Sequence, residues 1–305
     1  MSIEQSDSEQ QSPVSAQIKR GWLGGLLYRW GLSGEWLVTI ALIYVSFILF
    51  VAVFGFLFQP YPHTQLDLFN QLQPPVFMEG GSWEHIFGTD DLGRDVLSRL
   101  IRGLRLSVLI GVVGTVIGAI LGSFLGIVAA HFRGWVEEVL MMLVDIQVSL
   151  PFIIFALAIL AFVGNNLTIL IIVVGIDGWE RYARLARSMV LSANQQDYVL
   201  AVRSLGLSNF KIYQRHVLPN ILGTLVVQAT INLPGVILLE STLSFLGLGV
   251  QAPMTSLGQI LGVGRDYLIL APWIAVAPGM VIFFLTLSIA VIGDWLRDRL
   301  DPTLK

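Results

Sequence analysis

The stretch Asp197–Asn220, DYVLAVRSLGLSNFKIYQRHVLPN, is mixed and charged, yet it lies between apolar segments long enough to cross a bilayer. Apolar residues recur at helical spacing on both sides of Gly206, which predicts a helix, a break and a second helix. Glycine takes the left-handed backbone conformation that commonly ends a helix, and Ser208 is a residue type that caps the next one. Pro219 marks the end of that helix and the start of the next span. We interpret this helix–glycine–helix unit as a surface for a cytoplasmic partner.

Each of the two predicted helices has an apolar face. In the first helix, this face consists of Tyr198, Ala201, Val202 and Leu205. In the second helix, one side consists of Phe210, Tyr213 and Val217, which leaves Arg203, Lys211 and Arg215 for water or a partner. An amphipathic helix that lies on the membrane surface is the alternative interpretation of this pattern.

The composition is that of a membrane protein, since 55% of the 305 residues are apolar and only 13% are charged. The net charge of −3 gives no indication of nucleic-acid binding. The chain has no cysteine, which excludes disulfides, thiol nucleophiles and cysteine-based metal sites. The four histidines lack the spacing of metal ligands, and no GxxxxGK[ST] phosphate loop occurs. Any nucleotide that energises this protein is therefore bound by another chain.

Six apolar segments predict an all-α membrane protein with six transmembrane helices. Residues 1–36 are predicted as a cytoplasmic, partly disordered tail, and residues 37–58 as a first anchor helix that is retained rather than cleaved. Residues 59–105 form a predicted extracytoplasmic loop, residues 106–294 the main transmembrane domain, and residues 295–305 a cytoplasmic tail. The other five predicted spans are 106–130, 139–163, 167–183, 221–239 and 273–292. The third span, 139–163, is predicted to be broken by Asp145 and Pro151.

The end of the extracytoplasmic loop is predicted as an interfacial helix ahead of the second span. An apolar stripe there lies opposite Arg99 and Arg102, and it consists of Val96, Leu97, Leu100 and Ile101. Within the second span, a glycine recurs every fourth residue, at Gly114, Gly118, Gly122 and Gly126. Without side chains on that face, another helix can approach closely, so we predict a helix-packing face there. A substrate groove on the same face stays open as an alternative.

The distribution of Lys and Arg predicts the orientation, because these residues concentrate on the cytoplasmic side. With a cytoplasmic N-terminus, 13 of the 18 Lys and Arg residues lie in cytoplasmic segments and five lie outside. Both termini and the 197–220 stretch are therefore predicted to be cytoplasmic. The arginines from Arg94 to Arg105 are predicted to lie outside, contrary to the usual concentration of Lys and Arg on the cytoplasmic side.

Three acidic residues within or beside the spans are costly in lipid and are expected to face protein or water. For Asp145 and Glu240 two interpretations stay open, the lining of a translocation path and hydrogen bonding between helices. For Asp177, which is close to Arg181, we favour a structural role. Two helical ion pairs are predicted here by the i,i+4 spacing, Asp177 with Arg181 and Glu180 with Arg184.

The 197–220 stretch resembles the cytoplasmic coupling loop of ABC-transporter permeases, whose pattern is an EAA triplet, then a glycine, then an LP pair. The positions that match are Ala201, Gly206, Leu218 and Pro219. Leu200 and Val202 stand where the family usually has Glu and a second Ala. The resemblance implies that the apolar residues Leu205, Leu207 and Phe210 dock in an ATPase cleft.

Three more motifs resemble the C-type permease subunit of dipeptide, oligopeptide and nickel importers. They are GTDDLGRDVLSRLIRGLRLS at 88–107, LSFLGLGVQAP at 243–253 and GDWLRDRLDPTLK at 293–305. Asp145 and Pro151 fit the third-span pattern of that subfamily. Leu257 is a departure from that pattern, because relatives commonly carry Trp there. The departure affects what the resemblance implies for the outer loop between the fifth and sixth spans and for its contact with substrate or binding protein.

The resemblance implies a type I ABC importer permease fold in the bacterial inner membrane and no enzymatic activity. It also implies partners: a related B-type permease subunit, two ATPase subunits that bind ATP and Mg, an extracytoplasmic solute-binding protein and membrane lipid. Peptides are the expected solute, and nickel, glutathione or another small solute is the alternative. The resemblance also implies that this chain itself binds no cofactor.

Two other classes of protein are alternatives to the importer. An ion-coupled secondary transporter would use Asp145 and Glu240 and would show inverted repeats, of which no convincing one is visible. An intramembrane enzyme would need a nucleophile–base pair or metal ligands within the spans. No GxSxG motif is present, and the histidines lie outside the predicted spans.

Overall fold

The computed structural model describes residues 35–300, and regular structure in this part of the chain is helical. Within it, the only strand-like feature is an isolated bridge between Thr89 and Asp95. The all-α prediction is confirmed for these residues, whereas the predictions for 1–34 and 301–305 lie outside the described residues. The helices are α1 (Glu35–Phe54), α2 (Val96–Phe132), α3 (Gly134–Ser149), α4 (Phe152–Val163), α5 (Leu167–Ile176), α6 (Trp179–Ala193), α7 (Asp197–Ser204), α8 (Asn209–Ile212), α9 (Leu218–Phe245), α10 (Leu257–Arg265) and α11 (Trp273–Leu300).

Four helical segments are long and apolar enough to cross a membrane, namely Trp36–Leu57, Val96–Phe132, Asn209–Phe245 and Trp273–Leu300. The shortest of them has 22 residues and rises about 33 Å at about 1.5 Å per residue, against a hydrocarbon core of about 30 Å. The pair α3 and α4 passes the same test when taken together. Helix α5, in the predicted fourth span, has only 10 residues. Length and composition therefore support four or five of the six predicted spans in residues 35–300.

Two breaks in the chain explain the difference from the prediction. Helices α3 and α4 meet at 91°, because Pro151 has no backbone N–H and favours an extended Leu150 (φ −111°, ψ 138°). Asp145 does not interrupt α3, although the sequence predicts a break there as well. The predicted span 167–183 is divided between α5 and α6 at Gly178, whose φ of +80° lies in the left-handed region.

Helix α2 differs from the predicted interfacial helix followed by a separate span. It runs without a break over 37 residues, and Asp95 caps it by accepting a 2.7 Å hydrogen bond from the backbone N–H of Ser98. Arg99, which the sequence places on the polar side of an interfacial helix, is buried instead. Its guanidinium pairs with Asp90, and both side chains are at most 1% exposed. The first turns of α2 therefore belong to the protein interior.

The segment between α1 and α2 folds over this end of α2. Asp90 accepts hydrogen bonds from the backbone N–H groups of Leu92 and Arg94, both at 2.9 Å, and a 2.7 Å salt bridge from the Arg94 side chain. Trp273, at the start of α11, donates its indole N–H to the Thr89 carbonyl at 3.1 Å. Because a buried charge without a partner is strongly destabilising, this paired network fixes the segment against α2 and α11.

The glycine face of α2 lies against the backbone of α5 and α6. A Cβ atom at Gly118 would lie 2.9 Å from the carbonyl oxygen of Gly175, and one at Gly122 would lie 2.8 Å from the Cβ of Tyr182. Real Cβ atoms essentially never approach other heavy atoms closer than 3.0 Å. These positions of α2 therefore accept glycine alone at the present helix separation.

Buried apolar side chains form separate clusters that hold the helices in place. One cluster joins α1, α2, α9, α10 and α11 around Leu257 and Ile274. A second joins the C-terminal part of α2 to α6, α7, α8 and α9 around Tyr182 and Val190. A third joins α2, α4, α5 and α9 around Leu170. The second cluster positions the 197–220 stretch.

We expect Gly122→Ala to lower the thermal unfolding midpoint of the protein in detergent, because the added methyl group overpacks the contact of α2 with α6. Overpacking costs about 1–3 kcal/mol. The matched control is Gly223→Ala, since a Cβ atom at that helical position meets no heavy atom within 4 Å. Thermal unfolding followed by size-exclusion chromatography measures both. Equal midpoints for the two variants would show that the packing interpretation is wrong.

Candidate functional site

The 197–220 stretch breaks at Gly206, as the sequence predicts. The backbone N–H of Leu205 donates to the Ala201 carbonyl at 3.2 Å at the end of α7, and Gly206 follows with φ +80°. A residue with a Cβ atom is strained in this conformation, although the space around Gly206 is open. Ser208 occupies the N-cap position of α8, but its side chain makes no capping hydrogen bond.

The predicted end of the second helix at Pro219 is wrong. Helix α8 continues through a π-helical turn, Tyr213–Val217, into α9, so that one helical segment runs from Asn209 to Phe245. Pro219 lies in the first turn of α9. Proline cannot donate the usual helical hydrogen bond, and its ring crowds the carbonyl four residues earlier, which here belongs to the π turn.

The face of this stretch that packs inside the chain agrees only in part with the predicted apolar faces, since it includes Val217 from those faces and Val199 from outside them. Val199 is 0% exposed and Val217 is 1% exposed, and both pack with buried residues of α6. Leu205 and Phe210, which the sequence places on the apolar faces, are 79% and 74% exposed. Apolar residues occur on both sides of these short helices, so periodicity does not distinguish the inward side from the outward side. The side chain of Leu200 lies outside the described residues.

Hydrogen bonds attach the stretch to the ends of α2 and α6. The Tyr213 hydroxyl accepts a hydrogen bond from the side-chain amide of Asn194 at 3.4 Å and lies 3.3 Å from Nδ1 of His131. Arg203 donates to the Oδ1 atom of Asn194 at 3.3 Å. Together with the packing of α7 on α6, these bonds make the stretch and the ends of both helices one connected body.

The part of the stretch that faces away from the chain is an apolar tip, defined here as Leu205, Leu207 and Phe210. Leu207 is half-buried, and the other two side chains are exposed. The exposed cations of the same stretch are Arg203, Lys211 and Arg215. Apolar groups rimmed by charges are typical of a protein-interaction surface. This geometry suits a partner that has an apolar cleft with an acidic rim.

Asp145 lies on α3 with its side chain 68% exposed, and it accepts a 2.6 Å salt bridge from Arg184 of α6. The predicted pair of Arg184 with Glu180 is therefore wrong. The bend after α3 brings this helix beside α6, so a partner distant in the chain takes the place of the one within the helix. Exposed pairs of this kind contribute at most about 1 kcal/mol.

Arg181 also has partners other than the predicted Asp177. Its Nε atom lies 3.5 Å from Glu180, and its NH1 group donates to the Oδ1 atom of Asn232 in α9 at 2.9 Å. Asn232 is 2% exposed and lies between Ile231 and Leu233. No local pattern predicts its contact with Arg181, because 51 positions separate the two residues.

Glu240 lies in α9 and is 0% exposed. Its carboxylate accepts hydrogen bonds from the hydroxyls of Ser107 in α2 at 3.0 Å and Ser244 at 2.8 Å. Ser107 in turn accepts from the backbone N–H of Leu257 at 3.1 Å, and Ser244 accepts from that of Val250 at 3.1 Å. Of the two interpretations that the sequence leaves open, hydrogen bonding between helices describes these contacts in this structure.

Comparison with known protein families gives a match over residues 118–305 to the binding-protein-dependent transport system inner membrane component. This match covers more than half of the chain. The chain belongs to this family. It is accordingly a multi-pass permease subunit of an ABC importer in the inner membrane and not an enzyme. In such importers, ATP and Mg are handled by the partner ATPase subunits, so the family sets aside both a secondary transporter and an intramembrane enzyme.

Three relatives cover most of the permease. It is 40% identical over 264 residues to the di/tripeptide transport system permease protein DppC of Pseudomonas aeruginosa, covering 87% of each chain. It is 35% identical over 269 residues to the oligopeptide transport system permease protein OppC of Bacillus subtilis, covering 88% of this chain and 86% of the relative. It is 33% identical over 263 residues to the glutathione transport system permease protein GsiD of Pectobacterium atrosepticum, covering 86% of each.

Among solved structures, the permease is similar to a chain of the MetNI methionine ABC transporter in an inward-facing conformation. The TM-score is 0.54 at 21% sequence identity, and the match covers 65% of this chain and 94% of the other. At this identity the likeness shows the fold, which is that of a type I ABC importer permease. Within residues 35–300, no group of three or more metal-ligating side chains could hold a metal ion.

Leu257, which the sequence analysis identifies as a departure from the subfamily pattern, begins α10 and is 0% exposed. It packs in the cluster that joins α2 and α11, and its backbone bonds Ser107. The expected link between this position and substrate or binding-protein contact does not fit its surroundings, because the side chain is buried inside the chain.

We expect Glu240→Ala to destabilise the permease, because it leaves the hydroxyls of Ser107 and Ser244 without their buried acceptor. Each unsatisfied buried group costs about 1–3 kcal/mol. Glu240→Gln keeps a carbonyl acceptor and is expected to lose less. We expect the thermal unfolding midpoint in detergent to be highest for the parent, lower for Glu240→Gln and lowest for Glu240→Ala. An alanine variant as stable as the parent would mean that the carboxylate does not brace these helices.

Proposed function

We propose that this permease forms half of the translocation pathway of an ATP-driven importer of short peptides. We further propose that its apolar tip docks in a cleft of a cytoplasmic ATPase subunit. The observation that carries the second statement is the exposure of Leu205 and Phe210, at 79% and 74%, on a stretch that is otherwise packed into the chain. The peptide substrate is supported by the names of the di/tripeptide and oligopeptide relatives.

The helix contacts that hold the apolar tip explain how a movement of an ATPase subunit would be transmitted to the membrane spans. Helix α7 packs on α6 through Val199, and α6 contacts α2 through the glycine face. Packed helices shift as bodies rather than deform continuously. A displacement at Gly206 is therefore passed to α6 and α2. The coupling-loop pattern also matches Ala201 in α7 and the pair Leu218 and Pro219 at the start of α9. These residues lie on either side of Gly206.

The proposed topology has six membrane crossings and cytoplasmic termini. Four crossings are the long apolar segments, the bent pair α3–α4 supplies one and the short α5 contributes to another. The excess of Lys and Arg in the predicted cytoplasmic segments supports the orientation. It places the segment between α1 and α2 on the extracytoplasmic side, where a solute-binding protein would deliver the peptide.

The proposed assembly contains this permease, a related B-type permease subunit, two ATPase subunits and the solute-binding protein, within membrane lipid. Asp145, whose carboxylate is exposed on α3, is proposed to line the path between the two permease subunits. Glu240 braces α2 against α9 and α10 in this scheme. The glutathione relative is the observation that favours a second solute, a peptide-like thiol.

The test is ATP-driven uptake of a labelled dipeptide by liposomes that contain the complete importer and its binding protein. We expect Leu205→Ser with Phe210→Ser to lower uptake and ATPase co-purification by tenfold or more. Burying one such side chain contributes about 1.5–3 kcal/mol, and about 1.4 kcal/mol corresponds to a factor of ten. The matched control is Phe69→Ser, because Phe69 is 100% exposed in the segment between α1 and α2.

The outcomes separate the two parts of the proposal. Uptake by the parent in the absence of ATP would overturn the ATP-driven importer. Unchanged ATPase co-purification by the double variant would overturn docking through the apolar tip. Import of glutathione but not of dipeptides would change the substrate and leave the docking proposal in place.

A further inference from the structure

A cavity of about 470 Å³ lies where the bend between α3 and α4 meets the junction of α5 and α6. Its wall combines apolar groups, among them Leu150 and Phe152, with two acidic and two basic side chains. The charged groups are Asp177, Glu180, Arg181 and Arg184. Small-molecule sites are typically concave, about 300–1,000 Å³ in volume, and apolar with a few placed polar groups.

Hydrogen bonds hold the two arginines of the cavity in place but use only part of their N–H donors. The Arg181 side chain is 57% exposed and donates to Asn232 at 2.9 Å. The Arg184 side chain is 50% exposed and bonds Asp145 at 2.6 Å. A guanidinium has five N–H donors in a planar fork, and these contacts use only part of them. Both groups can therefore donate to a carboxylate that enters the cavity.

The acidic side of the cavity has a carboxylate oxygen without a partner. Glu180 is 8% exposed, and its Oε2 atom is buried without a hydrogen bond. Its other oxygen lies 3.5 Å from Arg181. Buried polar atoms are normally hydrogen-bonded, because an unpaired one has lost its water without compensation. The Glu180 carboxylate lines the cavity and keeps acceptor capacity for a donor supplied by a ligand, such as an ammonium group.

We propose that this cavity binds both free ends of a short zwitterionic peptide as it passes through the permease. Glu180, with Asp177 beside it, accepts from the α-ammonium group. Arg181 and Arg184 donate to the α-carboxylate, and the apolar wall receives a side chain of the peptide. The inference rests on the proposed peptide importer and adds that the membrane subunit itself reads the two charged ends.

The experiment uses the complete importer in liposomes with its binding protein and three labelled probes. These are a free dipeptide, its N-acetyl derivative and its C-terminal amide. Uptake ratios are compared between parent and variant, so the selectivity of the binding protein, which is common to both, cancels. We expect Arg181→Gln to reduce the preference for the free dipeptide over its amide about tenfold, and Glu180→Gln to reduce the preference over the N-acetyl derivative about tenfold.

The division between the two ends is the decisive readout, because a merely structural change would not alter one ratio and spare the other. Arg181→Lys, which keeps the positive charge, is expected to restore part of the amide discrimination. Arg265→Gln is the control, since Arg265 pairs with Asp266 and its side chain is 52% exposed outside the cavity. Ratios are independent of the amount of folded protein in each preparation.

Each outcome has one meaning. A parent importer that takes up no peptide with ATP overturns the proposed function on which the inference rests. A parent that imports peptide, with both ratios unchanged in both glutamine variants, overturns the cavity proposal and leaves the importer in place. Loss of both preferences in each variant also overturns it, because the two ends would then not be read separately.

Discussion

The contact between the glycine face of α2 and the backbone of α6 is the constraint on which the rest of the structure depends. Apolar burial does little to bring helices together in lipid, so association relies on close packing and hydrogen bonds. At Gly122 the helices are close enough that a Cβ atom would lie 2.8 Å from the Cβ of Tyr182. Because α7 packs on α6, this contact also determines where Gly206 and the apolar tip lie.

Charged groups near the N-terminal part of α2 are paired or hydrogen-bonded, whereas those at the junction of α5 and α6 are incompletely paired. Asp90 and Arg99 are buried as a pair beside α11, and Glu240 is satisfied by serine hydroxyls. At the junction of α5 and α6, the Oε2 atom of Glu180 has no partner and the cavity next to it is open. The Nε atom of Arg99 also lacks a partner, so the adjoining cavity is what distinguishes the junction, because it leaves room for a ligand.

Local signals in the sequence predicted the break at Gly206 and the helix-packing face of the α2 glycines. Each of these features depends on one residue type, at one position or at one regular spacing. Predictions of the surroundings and partners of arginine side chains did not hold. Arg99 is buried only because the segment before α2 folds over it, and Arg184 pairs with Asp145, 39 positions away. Pro151 indicated a break in the third span, but the 91° angle depends on tertiary packing.

Docking of the apolar tip is most directly tested by cross-linking, and the chain is suited to it because it has no cysteine. Phe210→Cys gives this chain a single thiol, which a photoactivatable maleimide can label, and adducts of this chain can then be assigned to position 210. We predict an adduct with the ATPase subunit that forms from position 210 and not from Phe69→Cys. No ATPase adduct from position 210, or equal adducts from both positions, would contradict the account.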